Sequence, residues 1–485
     1  MKRFKTVPFL AVFFLGAALP AAAGLTFYSA YLKKAPVVQI SVDQFSNTSS
    51  QHATEVEPSI FANGSTIVAV AQEGRFTTGG ASDITFATST NSGQSWTYGS
   101  LPGITKIQNS KNPYDRVSDP AITYDPKHGL WLASTLPLTG ETGQIPLVSS
   151  SPDGLNWNAP VAVGKNNGDF MDKNWIVCDG FASSPYYGNC YTEFDDNSEG
   201  DQMMMTTSTD GGKTWSKPVA IDNAFGLGGQ PVVQPNGHVV VPFLPGGVVE
   251  AFQSDNGGMS WSAPVTVANE NDHQVAGDLR TSPLPSARTD DGGTIYVSWQ
   301  DCSYRTNCNE NDIIYVTSTD GTHWTATKRV PIDPLTSSVD HFIPGISIAP
   351  GTMGANAHIG IAYYYYPQAN CSTSTCALTL GYISSKNGGK TWSPPTQLGT
   401  PMHISWLANT DQGYMVGDYI ASTFAANGVH IAATQALKPG AKYDEFLVSN
   451  STTVAAQSVE LSSFGERPLP GAHSDHKRFD YPPGD

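Results

Sequence analysis

One short motif recurs six times along the chain and limits what the chain can fold into. It begins with Ser, carries Asp or Asn two residues later, passes through one or two Gly, and ends with Trp. Asp or Asn before Gly favours a tight turn between strands, because the side chain bonds the local backbone and Gly accepts positive φ. Each copy, called a box below, therefore predicts a hairpin turn with a structural role. The boxes are Ser89–Trp96, Ser151–Trp157, Ser208–Trp215, Ser254–Trp261, Ser318–Trp324 and Ser385–Trp392.

Strand-like runs precede every box. In the first unit they are Pro58–Phe61, Thr66–Gln72 and Ile84–Ser89. Four short strands in roughly 45–65 residues, repeated along a chain, are typical of a β-propeller. A further unit without a box follows the sixth box, so we predict an all-β, seven-bladed β-propeller of four-stranded antiparallel blades, with six blades as the alternative. Either Val37–Val42 or Val454–Leu461 would supply the strand that closes the ring.

The N-terminus has the pattern of an export signal. Lys2, Arg3 and Lys5 precede an uncharged apolar run from Val7 to about Leu32. Pro20 and the alanines at 21–23 favour a signal peptide over residues 1–23. The alternative is a membrane anchor to about residue 32, since about 20 apolar residues span a bilayer. The predicted order is then a linker that contains a candidate ring-closing strand (24–50), the propeller (51–456) and an extended C-terminal tail (457–485).

Composition excludes several classes of function and agrees with export. The chain has 485 residues and a net charge of −16, which disfavours nucleic-acid binding. It has no glycine-rich nucleotide loop, no zinc-protease motif and no thioredoxin motif. Its six cysteines fall in three close pairs, typical of an oxidising compartment. We predict a secreted, periplasmic or cell-surface monomer with the disulfides Cys178–Cys190, Cys302–Cys308 and Cys371–Cys376.

With these six boxes, the chain resembles the sialidase-like Asp-box (BNR) propellers over about residues 50–456. The resemblance implies an active face opposite the boxes, where the segments leading into each first strand meet the loops after each second strand. Crowded acids there would raise one another's pKa, as a general acid needs, whereas their repetition favours an architectural role. These leading segments are Glu57-Pro58, Asp119-Pro120, Asp172-Lys173, Gln230-Pro231, Asp278-Leu279-Arg280, Asp340-His341 and Asp418-Tyr419.

The resemblance also implies roles for particular residues. Tyr419 would be the nucleophile, Glu193 its partner, and Asp119 or Asp115 the acid/base. Three arginines would clamp the carboxylate of an acidic sugar. The residues expected to contact substrate are Glu57, Arg75, Arg116, Asp172, Arg280, Asp301 and Arg305.

Two functions remain open from the sequence. The first is a glycan-directed, sialidase-like exo-glycosidase that acts on a terminal acidic sugar of a glycan or glycoprotein. The second is a non-catalytic propeller at the cell surface that binds carbohydrate or protein. The second gains weight because Glu57-Pro58-Ser59 stands where the family has an early Arg-Ile-Pro. Contact with a membrane is expected only if the N-terminal segment stays uncleaved.

No cofactor is expected, although Ca2+ is one interpretation of an acidic loop. Five acids lie between Glu193 and Asp201, and carboxylate oxygens are calcium ligands. Their spacing is not that of an EF-hand, so a solvated loop is the favoured interpretation.

Overall fold

The computed structural model describes residues 32–165 and 168–450. The secondary structure of these residues is β-strand, apart from three-residue 3-10 turns at Asn197–Glu199, Thr306–Cys308, Gly354–Asn356 and Ile404–Trp406. None of the helices in this part of the chain is long and apolar enough to span a membrane. The predicted signal peptide or anchor, the C-terminal tail and Val454–Leu461 lie outside the described residues.

The strands follow one another in four-stranded antiparallel units. Two N-terminal strands come first, β1 (Lys33–Ala35) and β2 (Val37–Gln39). The first unit is β3 (Glu55–Asn63), β4 (Thr66–Arg75), β5 (Ala81–Ser89) and β6 (Thr97–Ser100). The second is β7 (Arg116–Asp125), β8 (Leu130–Thr139), β10 (Leu147–Ser151) and β11 (Val161–Ala162), with the short β9 (Thr142–Gly143) paired to β8. A pairing of Ala81 with Val117 joins these two units into one sheet.

The later units repeat this plan. The third is β12 (Met171–Cys178), β13 (Cys190–Asp196), β14 (Gln202–Ser208) and β15 (Val219–Phe225). The fourth is β16 (Val232–Val233), β17 (Val239–Phe243), β18 (Val248–Ser254) and β19 (Val265–Asn269). The fifth is β20 (Ser286–Thr289), β21 (Ile295–Asp301), β22 (Asp312–Ser318) and β23 (Lys328–Arg329).

Both N-terminal strands add to the edges of the last two units. The sixth unit is β24 (Asp340–Ile348), β25 (Ile359–Tyr366), β26 (Ala377–Ser385) and β27 (Thr396–His403), with β1 parallel to β27. A separate hairpin follows, β28 (Ala408–Thr410) and β29 (Gly413–Met415). The last unit is β30 (Ala421–Ala425), β31 (Gly428–Ala436) and β32 (Glu445–Asn450), and β2 completes it antiparallel to β32.

The units pack in sequence around a common centre. The first strand of each unit contacts the first strand of the next, from β3 to β7, β12, β16, β20, β24 and β30, and β30 contacts β3 in turn. An apolar cluster fills each junction, including that between the last and first units, where Ala421 and Leu447 meet Ile60 and Ile40. Because neighbours cover both faces of a unit, strands such as β25 are buried throughout.

The boxes form the turns that their sequences predict. In the third box, the carboxylate of Asp210 accepts hydrogen bonds from the backbone N–H groups of Lys213 and Thr214, at 3.0 and 2.9 Å. The Ser208 hydroxyl accepts from the N–H of Gly212 at 3.0 Å. Gly211 and Gly212 have φ of 77° and 79°, which a residue with a Cβ rarely adopts. The box carboxylate therefore accepts hydrogen bonds within its own turn, which is a structural role.

The three predicted disulfides are confirmed. Cys178 and Cys190 lie directly opposite each other on β12 and β13, with an S–S distance of 2.08 Å. The other two bridges, Cys302–Cys308 and Cys371–Cys376, close short loops. Such bridges are typical of proteins from oxidising compartments.

Candidate functional site

A bulge recurs in the first strands and aims polar side chains at the centre. The register with the second strand shifts after Val56, Ser118 and Asp172, and in each bulge one residue has a left-handed backbone. These residues are Glu57, Asp119 and Lys173, with φ of 55°, 47° and 41°, and Ile343 occupies the same place in β24. Bulges commonly redirect side chains near functional sites.

Ionisable groups from several units meet at these bulges, and we call them the central cluster. The pKa of Glu57 responds to the charges of four of these groups: Asp119, Lys173, Asp418 and Arg75. Glu57 and Arg75 come from the first unit, Asp119 from the second and Lys173 from the third. The remaining members are Asp418 and Tyr419, which precede the last unit, and Arg280, which precedes the fifth. Five residues that the sequence nominated, Glu57, Arg75, Asp119, Arg280 and Tyr419, therefore lie in the central cluster, together with Lys173 and Asp418.

Two ion pairs form the floor of the cluster. The ammonium of Lys173 lies 2.8 Å from Oδ1 of Asp119 and 3.8 Å from the centre of the Tyr419 ring. The guanidinium of Arg280 binds both carboxylate oxygens of Asp418, with Nε 2.8 Å from Oδ1. Such a fork-to-carboxylate contact is strong and directional. Each positive charge on the floor therefore already has a carboxylate partner.

The carboxyl groups of the cluster are held in different protonation states. Burial, and next the charge of Asp119, raise the pKa of Glu57 to about 8. Burial acts in the same direction on Asp418, but Arg280 outweighs it and lowers the pKa of Asp418 to about 2. At neutral pH one group can give a proton while the other stays ionised, which is the division of roles that acid–base catalysis needs. Gln72 supports the arrangement by donating to Glu57 Oε2 and, at 3.0 Å, to Ser118.

Lys173 remains charged in this setting. Burial lowers the pKa of its ammonium, but the carboxylates of Asp119 and Glu57 outweigh burial, so the pKa is raised overall. A lysine in this state is a fixed positive charge and not a nucleophile.

Tyr419 does not pair with its predicted partner. Its hydroxyl donates to the carbonyl oxygen of Pro120 at 3.2 Å, and its ring packs edge-on against Trp175. Burial raises the pKa of Tyr419 far above its usual value. Glu193 is fully buried on β13, where burial also raises its pKa. The structure thus contradicts the expected Tyr–Glu contact, although it keeps both residues beside Lys173.

Asp172 lies one position away from its predicted place. The comparison of leading segments put Asp172 at the place of Glu57 and Asp119, but Lys173 occupies the bulge. Asp172 instead accepts from the N–H of Lys173 at 2.8 Å and lies opposite Asp195 on β13. Burial, and next the charge of Asp172, raise the pKa of Asp195.

The predicted leading segments of the fifth and sixth units also do not occupy the place of Glu57 and Asp119. The fifth unit begins at Ser286, so Asp278 and Arg280 belong to an earlier segment that runs beside Tyr414. In the sixth unit the bulge falls on Ile343, not on Asp340 or His341.

Three predicted substrate contacts, Arg116, Asp301 and Arg305, lie outside the cluster. Arg116 binds the carbonyl of Gly79 at 2.9 Å and stacks on Phe76. Asp301 accepts from the N–H groups of Asn271 and Ser303, at 3.0 and 2.7 Å. Both groups bond their own neighbourhood, which is a structural role.

Arg305 is the clearest correction. Its side chain is fully buried and binds Asp312 at 2.6 Å and Asp333 at 2.7 Å. Arg329 also binds Asp312. The expected clamp of three arginines is therefore reduced to Arg75 and Arg280. Arg75 donates to Gly80 O at 3.0 Å and to Gln72 Oε1 at 3.3 Å, so it too has protein acceptors.

The described residues give no support to the calcium interpretation. The acids of the 193–201 loop do not gather ligand atoms: Asp196 caps Ser198 N at 3.0 Å, and Asp201 accepts from Asn197 at 2.8 Å. Within the described ranges the side chains close enough to hold a metal are Asp312, Asp333 and His341. Arg305 and Arg329 already neutralise those two carboxylates.

Part of the cluster reaches solvent. Lys173, Arg280, Asp418 and Tyr419 are 7–8% exposed, as is the neighbouring Asp172, whereas Glu57, Asp119 and Arg75 are 1–3% exposed. The first four are therefore the most accessible members of the cluster.

Comparison with known proteins finds similarity among solved structures. No protein-family model and no curated protein sequence matches the chain. Among solved structures, the NanB sialidase of Streptococcus pneumoniae is 12% identical, with a TM-score of 0.43, and the match covers 86% of this chain and 71% of that one. An ulvan lyase of a polysaccharide lyase family is 11% identical, with a TM-score of 0.48 over 86% and 96% of the two chains. YCF48 bound to D1 peptide is 14% identical, with a TM-score of 0.41 over 87% and 96%.

The chain resembles the sialidase-like Asp-box propellers. This likeness rests on its own six box turns and on the antiparallel units that they connect. It concerns the fold alone, since propellers of one architecture carry different activities.

Sequence reasoning missed two members of the cluster. Asp418 and Lys173 were recognised as parts of leading segments but were not assigned to the site. A signal for Lys173 is nevertheless present: an Ile follows each bulge residue by three positions, at Ile60, Ile122, Ile176 and Ile346. Alignment on this Ile, rather than on the acids, selects Lys173 over Asp172.

Proposed function

We propose that the chain is a glycan-directed glycoside hydrolase that takes the terminal sugar of a glycan at the central cluster. Its units would form one ring of seven blades, closed by β2 against β32, with the cluster at the axis. The observation that carries this proposal is the convergence of two carboxyl groups, Glu57 and Asp418, in one buried cluster where only Asp418 is paired with an arginine, Arg280. Burial accordingly raises the pKa of Glu57 to about 8, and Arg280 lowers that of Asp418 to about 2.

The proposed chemistry follows from these protonation states. Glu57, protonated at neutral pH, donates its proton to the glycosidic oxygen as the bond to the terminal sugar breaks and the rest of the glycan departs. A water molecule then adds to the sugar and returns a proton to Glu57. Asp418, ionised beside Arg280, stabilises the positive charge that develops on the sugar ring. Lys173 pairs with Asp119 and keeps the charge of the floor balanced. Tyr419 supports the site through its ring, because its buried hydroxyl is occupied by Pro120.

The geometry supports a neutral terminal sugar better than the acidic sugar expected from the sequence. A carboxylate clamp needs several accessible guanidinium charges, whereas Arg280 is already paired with Asp418, and Arg75 is only 1% exposed and donates to the carbonyl of Gly80. A neutral sugar can instead share the ion pairs of the floor through its hydroxyl groups.

The second candidate function is a non-catalytic glycan-binding propeller. It is favoured by the internal pairing of Lys173 with Asp119 and of Arg280 with Asp418, which leaves the cluster complete as architecture.

A glycan panel tests the proposal. The exported protein is incubated with neutral, uronic and sialylated glycans, and released sugars are measured alongside binding by calorimetry. Wild type should release a neutral sugar, and Glu57→Gln should lose about a hundredfold or more of the rate, as expected for removal of a general acid. Glu270→Gln is the matched control, because Glu270 is 2% exposed and burial raises its pKa to about 9, but it lies outside the cluster.

Each outcome separates the candidates. Binding without release, unchanged in Glu57→Gln, supports the binding propeller. Release of sialic acid would restore the acidic-sugar interpretation. Neither binding nor release across the panel would contradict both candidates.

A further inference from the structure

A carboxylate, an imidazole and a serine hydroxyl are connected in series in the segment between β2 and β3. Oδ2 of Asp43 lies 2.6 Å from Nδ1 of His52, and Nε2 of His52 lies 2.9 Å from Oγ of Ser50. Each ring nitrogen of the imidazole therefore contacts a different partner, a carboxylate on one side and a hydroxyl on the other. This is the order in which acid, base and nucleophile are connected in serine hydrolases.

Burial separates the partner that is held from the partner that a substrate can reach. The side chains of Asp43 and His52 are 0% and 7% exposed, whereas Ser50 is partly exposed in a turn. The other oxygen of Asp43, Oδ1, accepts from the N–H of Phe45 at 2.9 Å. The carboxylate is thus fixed and in turn fixes the orientation of the imidazole, while the hydroxyl remains accessible.

The first and last units together set the position of the imidazole. Gly74, near the end of β4, has a φ of 70°, and a Cβ at this position would lie 2.7 Å from Cε1 of His52. Only glycine therefore leaves room for the ring. On another side, the carbonyl of His52 accepts from the N–H of Tyr443, in the loop between β31 and β32, at 2.9 Å.

Two further polar side chains contact the hydroxyl of Ser50. Oγ of Ser82, on β5, lies 2.7 Å away, and Nδ2 of Asn47 donates to Ser50 Oγ at 2.9 Å. Ser82 is fully buried, so Ser50 is the serine of this group that a substrate can meet. The Asn47 amide lies beside the point where negative charge develops when Oγ attacks an acyl carbonyl, and side-chain amides are among the donors that stabilise an oxyanion.

We propose that Asp43, His52 and Ser50 form the catalytic triad of a second active site, which hydrolyses esters of small acyl groups. The acyl group is small because the side chains around the Ser50 hydroxyl, Asn47 and Ser82, are polar, and a long acyl chain would need apolar ones. The triad shares no residue with the central cluster, and the inference does not rest on the proposed glycan activity.

The reaction follows the contacts. Oγ of Ser50 attacks the carbonyl carbon of the ester, its proton passes to Nε2 of His52, and the carbonyl electron pair moves onto the oxygen, near the Asn47 amide. The carbonyl re-forms as the bond to the alcohol oxygen breaks, and that oxygen takes the proton from Nε2. Water then attacks the acyl-Ser50 ester in the same way, which releases the carboxylic acid and restores the hydroxyl. Asp43 accepts from Nδ1–H and stabilises the imidazolium that forms in each step.

A fluorophosphonate probe and an acetyl ester test this site in the full chain. The probe phosphonylates activated serine hydroxyls, and peptide mass spectrometry should locate it on Ser50. Ser50→Ala and Asp43→Asn should each lower the rate of p-nitrophenyl acetate hydrolysis at least about a hundredfold. Ser46→Ala is the matched control, because Ser46 is exposed in the same segment, and it should retain both the labelling and the rate.

Labelling of wild type needs no variant, so it decides the question even if Asp43→Asn does not fold. Circular dichroism establishes which variants are folded. The inference is wrong if the probe does not modify Ser50 of the wild type, or modifies another serine instead. It is equally wrong if folded Ser50→Ala hydrolyses the acetyl ester as fast as wild type.

Discussion

Replacing Lys173 by Met should destabilise the protein strongly, and more at neutral than at acidic pH. The ammonium lies 2.8 Å from Asp119, and the two side chains are only 10% and 4% exposed. Breaking a buried pair by removing one partner costs about 3–5 kcal/mol. The contact with the Tyr419 ring adds about 1–2 kcal/mol. Met keeps most of the apolar stem, so these two contributions give the expected loss in the free energy of unfolding at pH 7, about 4–7 kcal/mol.

The pH dependence of this loss follows from the neighbouring acids. Without the ammonium, whose charge lowers the pKa of Glu57, the folded-state pKa of Glu57 should rise further above its unfolded value. An acid whose pKa is raised on folding costs stability as the pH increases through the interval between the two values. Lys173→Met should therefore recover part of its stability between pH 7 and pH 5.

Urea unfolding followed by tryptophan fluorescence measures both effects. Lys213→Met, at an exposed position, is the control and should stay within about 0.5 kcal/mol of wild type. Adding Asp119→Asn to Lys173→Met should restore stability, because the orphaned carboxylate is removed as well. The reasoning is refuted if Lys173→Met lies within about 1 kcal/mol of wild type, or if the double variant is no more stable than Lys173→Met.

Three further predictions concern stability. Because the pKa of Glu57 rises from 4.5 to about 8 on folding, wild type should lose stability as the pH rises through that interval. Glu57→Gln should reduce this loss by a few kcal/mol, as measured by urea unfolding at pH 5 and pH 9. An equal loss of stability in both proteins between the two pH values would contradict the prediction. Replacing Cys178 and Cys190 together by Ala should cost about 3 kcal/mol, measured by the same unfolding, and no cost would contradict the bridge's role. Asp210→Ala should cost about 1–2 kcal/mol through its lost turn bonds without changing any glycan activity, and lost activity in a folded variant would contradict a structural box.

The repeat of turns and strands was readable from the sequence because local chemistry determines it. The boxes bond within eight residues, and cystines such as Cys178–Cys190 join positions that are close along the chain. The sequence allows two strands to close the ring, because the pairing of β2 with β32 joins the two ends of the propeller and has no local signal.

The site was predictable only in part, because bulges and ion pairs decide it. Convergence of Glu57, Asp119 and Tyr419 followed from their equivalent places in the repeat. In β12 the bulge falls one residue later than the pattern of acids predicts, so Lys173 occupies it instead of Asp172. Arg305 was misplaced for another reason: its partners Asp312 and Asp333 follow it in the chain but meet it only after folding.

The axis of the ring can be tested directly as the ligand site. A crystal structure of the protein soaked with the neutral sugar that it releases, or with the panel glycan that it binds most tightly, would locate that ligand. The account predicts electron density for the sugar within hydrogen-bond distance of Asp418 and Lys173, above the ring of Tyr419. Sugar density at the box turns or an outer edge, with no ligand density at Asp418 and Lys173, would contradict it.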